Sequence, residues 1–227
     1  MKILGIETSS HLFSLCINED DTVLYEIKKE RTSGTSRGAD FFFEAKKIID
    51  HHKPSTIRAI AVSIGPGMFT SLRVGLSLAK GLALAHKTPI VAVNTLDVIG
   101  ISLAFVQRPI LAVINAYHGE LYTALYEQGK RTTDYRLILP QEIIKIMKSN
   151  VLILGSGIGV LKDSGIVANM ADIHFVNADF LLPTASKVVS VALPRIRSDN
   201  FDDPEMLEPY YIKKTDAERN YDKSNAI

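Results

Sequence analysis

The chain has 227 residues, 46% hydrophobic and 22% charged, the balance of an ordinary globular protein with enough apolar residues for a substantial core. A net charge of +1 advertises no global electrostatic footprint for nucleic acid, and a single cysteine excludes both a disulfide framework and a cysteine zinc cage. With no signal-peptide core at the N-terminus and no uncharged apolar run of about 18 residues, a soluble, cytoplasmic protein without membrane contact is expected.

Residues 2–6 read as a strand ending at the polar turn Glu7-Thr8-Ser9-Ser10. Residues 13–17 and 22–27 follow as two further strands of an antiparallel meander, with Cys16 a small buried hydrophobe. Residues 28–38 are polar and Gly/Ser/Thr-rich, hence a loop. From Ala39 to His52 the apolar residues Phe42, Ala45, Ile48 and Ile49 recur at helical spacing, and Pro54 ends the helix. A β-rich run at 57–64 suits a strand buried on both faces; then come Gly65-Pro66-Gly67, a long helix at 69–86 and a buried strand at 89–96. That unit is a parallel crossover inside a partly antiparallel sheet. A helix is expected at 95–106. After Pro109 the pattern resets, with strands at 110–116, 119–128 and 133–139, a short helix from Pro140, a strand at 151–155 leading into Gly155-Ser156-Gly157, and a helix at 184–196 with Thr184 as its candidate cap. From Ser198 the chain reads as an extended arm and tail. The repeated order suggests a duplicated α/β protein divided as 1–103 and 104–227, with the last helix and tail free to pack back on the first lobe.

Gly65-Pro66-Gly67 between strand and helix is either a tight structural turn or an anion cradle, since glycines allow close backbone approach and a helix start offers free N–H groups. It is neither a Walker A loop nor a dinucleotide fingerprint. Thr8 and Ser9 at the first strand end, with Gly65, Gly67 and Thr70, are the residues able to meet a phosphate or nucleotide. The six histidines show no metal-ligand spacing, so no metal site is expected. The helix at 69–86 has one narrow polar stripe of Arg73, Ser77, Lys80 and Lys87. Leu72, Leu76 and Leu82 are apolar, and Gly75, Ala79 and Ala83 at steps of four make a small face that allows close helix approach. Either the helix is enclosed by its own fold, or a second molecule covers it.

The stretches ILGIETSS, GPGMFTSLRVGLSLAKGLALAHKTPIVAVNTLDVI, INAYHGELYTALY, LLPTASKVVSVAL and LEPYYIKK stand in the order found in the TsaB (YeaZ) family, which the chain resembles over nearly its whole length. The resemblance implies an α/β protein of two actin-like lobes of the ASKHA, RNase H-like class, each a mixed sheet flanked by helices. It implies a non-catalytic scaffold or activator subunit that dimerises with TsaD, works with the ATPase TsaE, pairs with itself when alone and meets tRNA only through the complex. TsaD transfers a threonylcarbamoyl group to adenosine 37 of tRNAs reading ANN codons. The helices at 39–52 and 69–86 match those that pair across the dimer, which places Phe42, Ala45, Ile49, Leu72, Gly75, Leu76, Ala79, Leu82 and Ala83 at the interface. Glu7 stands where the family shows Asp, Met68 and Ser71 depart from the usual glycine-loop sequence, and Asn115-Ala116-Tyr117 replaces Asp-Ala-Arg. Losing the paired aspartates removes the carboxylates that hold Mg²⁺–nucleotide in active relatives of this fold, so no cofactor is required by this subunit, although ATP or ADP at the interface of a complex is compatible with the resemblance. The alternatives are an ASKHA-type ATP phosphotransferase, a glycoprotease-like peptidase, or a stand-alone homodimer with a regulatory role.

Overall fold

The computed structural model describes residues 1–30, 39–168, 170, 172–176 and 182–212; of the loop expected at 28–38, residues 28–30 instead continue the third strand to Glu30, and the rest of it and the tail from 213 onward lie outside the described residues. The first half is β1 (Lys2–Glu7), β2 (Leu12–Glu19), β3 (Thr22–Glu30), α1 (Ala39–His52), β4 (Ile57–Gly65), α2 (Phe69–His86), β5 (Ile90–Asn94) and α3 (Thr95–Ile101). The second is β6 (Ile110–Asn115), β7 (Leu121–Glu127), β8 (Lys130–Arg131), β9 (Arg136–Ile138), β10 (Val151–Leu154), α4 (Ile158–Asp163), β11 (Ile173–Phe175) and α5 (Ala185–Arg197).

The sheets have one topology. The first runs β3-β2-β1-β4-β5, with β1 antiparallel to β2 and parallel to β4. The second runs β8-β7-β6-β10-β11, with β6 antiparallel to β7 and parallel to β10. Two mixed sheets of the same order, each flanked by helices, make the two-lobed actin-like architecture. The expected helix at 95–106 ends at Ile101, and the one from Pro140 is a 3₁₀ segment, Pro140–Lys145. The short elements α4 and β11 have too few residues to show a period in the sequence.

On one face of the first sheet, α1 and α2 cover Leu4, Ile6, Leu15, Ile60 and Val62. α1 buries Phe41, Ala45 and Ile48, a stripe one residue away from Phe42, which is exposed. On the other face lies α5, packing Val188, Val189, Ala192 and Ile196 on Ile3, Ala59, Ala61 and Val91. α3 does the reverse: Leu96 and Ile99 pack under the second sheet with Ile110, Ala112 and Tyr126. Each half therefore lends its last helix to the other half's sheet, and a division at 103/104 does not coincide with the division in packing. Asp97 of α3 ties the exchange, accepting from Tyr126 Oη at 2.7 Å and Tyr135 Oη at 2.6 Å. Burial first, then the Asp97 charge, pushes the Tyr126 phenol far above its usual range, so it stays a hydrogen-bond donor.

After α5 the chain straps the free edge of the first sheet. Asp202 N bonds Ile90 O, Ala92 N donates to Asp202 Oδ2 at 2.7 Å, and Arg195 pairs with Asp202 at 2.9 Å. The strap then crosses to α2, where Lys80 Nζ donates to Glu205 O and Leu207 O, and Tyr210 N bonds Ile64 O. β5 is thereby covered, which removes an edge open to foreign pairing.

Candidate functional site

The lobes meet at a cleft formed by the loop after β1, the glycine loop before α2, the start of α3, the loop after β6 and the loop after β10. Its cavity is about 140 Å³ and is lined by Ser9, Ser10, His11, Gly67, Thr95, Asn115, Tyr117 and Ser156, among others. The ends of β1 and β6 are equivalent in the two sheets, and their polar residues do equivalent work. Glu7 Oε1 accepts from Ser9 N, and Asn115 Oδ1 accepts from Tyr117 N at 2.8 Å. Each side chain thus caps the turn that follows it.

Of the residues expected to meet phosphate, Ser9 and Gly67 line the cleft, whereas Thr8, Gly65 and Thr70 do not. Thr8 is buried beneath α2: a Cβ at Gly75 would collide with its Oγ1. Gly65 is buried and takes φ +115°, the left-handed region that glycine supplies for a tight turn. Thr70 is exposed on α2. A Cβ at Gly67 would run into Ser9 O, and Met68 N donates to that same oxygen at 2.8 Å. The glycine loop is built to press on the loop after β1, and a donor that an anion would want is already engaged. Ligand pockets usually need about 300–1,000 Å³, so this cleft is small for a nucleotide. Among the described residues no lysine or arginine lines it, and no group of three His, Cys, Asp or Glu could hold a metal. These residues do not fit a Mg²⁺–nucleotide.

The helix face needs a larger correction. Leu72, Gly75, Leu76, Ala79 and Ala83 are buried by their own chain, as is Ala45 of α1. The count of apolar residues on α2 is high because its inner side meets a sheet of apolar strands, and the same helix is small-sided where Thr8 comes close. What α2 offers outward is the opposite side: Thr70, Ser77, Gly81 and Ala85, bordered by half-buried Val74, Leu78 and Leu82 and by Leu84, 52% exposed. On the same face of the first sheet, α1 exposes Phe42 and, at 58%, Phe43, while Ile49 is half-buried. A Cβ placed on Gly81 would meet nothing within 4 Å. Gly81 and Phe43 were legible in principle: once the inner stripe is set at Leu72, Leu76, Ala79 and Ala83, helical periodicity puts Gly81 diametrically outside.

The family model "TsaD: tRNA N6-adenosine threonylcarbamoyltransferase" matches residues 46–221, well over half of the chain. The chain belongs to the TsaD family. Within that family its likeness is to the members called TsaB or YeaZ. The protein named "tRNA threonylcarbamoyladenosine biosynthesis protein TsaB" of Escherichia coli (strain K12) is 26% identical over 229 residues, 96% of each chain. Its namesake of Bacillus subtilis (strain 168) is 30% identical over 128 residues, 56% of each chain. The solved YeaZ of Pseudomonas aeruginosa shares the fold, with a TM-score of 0.75 at 20% identity over 92% of this chain and all of that one. No described helix of this TsaD-family chain is long and apolar enough to cross a membrane.

Proposed function

We propose that the chain is a non-catalytic subunit of tRNA threonylcarbamoyladenosine biosynthesis. It docks a TsaD protein through the outer faces of α1 and α2 and so supports threonylcarbamoylation of adenosine 37 in tRNAs reading ANN codons. TsaE joins the assembly, the same face pairs two copies of this chain when TsaD is absent, and tRNA is met through the complex. The subunit requires no nucleotide of its own; ATP or ADP belongs at the interface of the complex.

The observation that carries this reading is Gly81. A glycine inside a helix costs roughly 1 kcal/mol relative to alanine, and here nothing among the described residues needs the missing side chain. With Ser77 and Ala85 one turn away on either side and exposed Leu84 on the same helix, the position suits close approach of a partner helix. The cleft supports the non-catalytic half of the reading, since Glu7 and Asn115 are bound into their own turns. A kinase or peptidase reading has no comparable support.

Gly81→Trp tests the docking face, because the side chain points into open space and leaves the fold intact. The variant should melt within a few degrees of wild type and lose about 100-fold or more in affinity for the TsaD of the same organism, read by titration calorimetry. Wild-type affinity in that variant would refute the docking face. Gly75→Leu or Ala79→Trp would be the wrong probes, since both positions are core.

A further inference from the structure

The flank of α2 beside the strap carries Arg73 and Lys80, and the helix contains no Asp or Glu. The two cations are treated differently. Lys80 is satisfied inside the chain by the carbonyls of Glu205 and Leu207, at 3.2 and 2.9 Å. Arg73 is held but not neutralised. Its Nε donates to Tyr211 Oη at 2.9 Å, and its guanidinium carbon lies 3.9 Å from the centre of the Phe69 ring and 5.9 Å from that of Tyr211. Those two rings stack on each other at 4.7 Å and 24°. The strap end is pinned in turn by Tyr210, whose N–H bonds Ile64 O and whose ring meets Tyr135 edge-on at 5.5 Å. Arg73 is exposed, and its two terminal amino groups meet no acceptor among the described residues. By contrast, Arg58, Arg131, Arg195 and Arg197 each reach a carboxylate within the chain.

We propose that Arg73 is the charge anchor of the docking face, presenting a pre-aligned pair of N–H groups to a carboxylate of the docked protein; this rests on the docking reading above. A planar guanidinium whose Nε is engaged and whose plane is set by an aromatic ring keeps its terminal nitrogens free for a bidentate Asp or Glu. Pre-ordering by Phe69 and Tyr211 removes much of the rotamer entropy that association would otherwise cost. The residue stands at the border of the small-sided face of Ser77, Gly81 and Ala85, where an interface places its polar contacts. A nucleic-acid backbone is the poorer match, because phosphate recognition draws on several cations at once and the neighbouring Lys80 is already engaged.

The test uses the full chain and the TsaD protein of the same organism, titrated at low and high salt. Arg73→Glu should weaken binding about 30-fold or more at low salt, and Arg73→Lys, which keeps the charge but loses the fork, about tenfold. Tyr211→Phe, which keeps the ring but removes the acceptor, should cost about threefold. The gap between wild type and Arg73→Glu should narrow at high salt, and a reciprocal Asp or Glu→Lys change on TsaD should restore affinity to Arg73→Glu. Affinity within twofold of wild type for Arg73→Glu, or a loss indifferent to salt, overturns the anchor. So does an Arg73→Glu that binds TsaD normally but loses RNA. Wild-type chain that fails to bind TsaD refutes the docking reading itself, whereas wild-type binding with an indifferent Arg73→Glu refutes the anchor alone.

Discussion

Gly75 and Gly81 sit six residues apart on one helix and answer to different constraints. At Gly75 any Cβ would collide with Thr8, a buried residue whose turn is fixed by the loop after β1. At Gly81 a Cβ would meet none of the described residues within 4 Å. Gly75→Ala should therefore destabilise the chain by about 1–3 kcal/mol through overpacking, despite the better helix propensity of alanine. Gly81→Ala should stabilise the isolated chain by about 0.5–1 kcal/mol. Urea denaturation of the two variants reads both signs at once; equal effects would mean that Thr8 yields to a side chain at no cost. Cys16 shows the same logic in a simpler form, since burial raises its thiol pKa far above the usual range and leaves it a hydrophobe among Ile3, Ala59 and Val189.

Among the helices, α5 shows how a start can be secured from outside. Thr184, the expected cap, spends its hydroxyl on Ser186 Oγ at 3.1 Å and caps nothing. The first N–H groups go instead to the first sheet: Ala185 N donates to Ser14 Oγ at 2.6 Å and Ser186 N to Glu26 Oε1 at 2.9 Å. Burial raises the Glu26 pKa, but the Ser186 N–H and hydroxyl and the nearby Lys28 outweigh it, so the carboxyl titrates below its usual 4.5. A depressed folded pKa adds stability that is complete above the unfolded value and disappears as pH falls through the folded one. Glu26→Gln should cost about 1 kcal/mol near pH 7, and the difference from wild type should vanish well below pH 4. Chemical denaturation at both pH values checks this; a deficit unchanged in acid would show that the charge on Glu26 plays no part.

At the scale of the molecule, the exchange of α3 and α5 joins the halves more tightly than a linker could. A fragment of residues 1–103 keeps α1 and α2 but lacks α5, leaving the face with Ile3, Ala59, Ala61 and Val91 uncovered. Such a fragment should fail to fold, by circular dichroism and gel filtration, while the full chain unfolds in a single calorimetric transition. Two separated transitions, or a folded fragment, would mean that the exchanged helices do not couple the lobes. The strap adds to the coupling, since Tyr210 touches Ile64 of the first sheet and Tyr135 of the second half.

Strong local periodicity carried most of the architecture. The bounds of α1 and α2, the buried character of β4 and β5, and the repeated strand order were legible because apolar spacing and turn residues act over a few positions. The glycine loop was legible as a turn, and which of its neighbours face the cleft was not. Which side of α2 faces inward was decided by the sheet beneath it: the greasier, smaller side matches the strands and Thr8, leaving Gly81 and Ser77 for a visitor. The cleft and the Arg73 site likewise join residues far apart in the chain, from Ser9 to Ser156 and from Phe69 to Tyr211. The amino-acid order by itself determined the long helices α1, α2 and α5, the main strands and that the pattern comes twice, but not the short α4 and β11 or where α3 stops. Only the tertiary structure decided which face of each element remains for another molecule, because a face is open or covered according to what packs on it, and that depends on residues no local pattern can see.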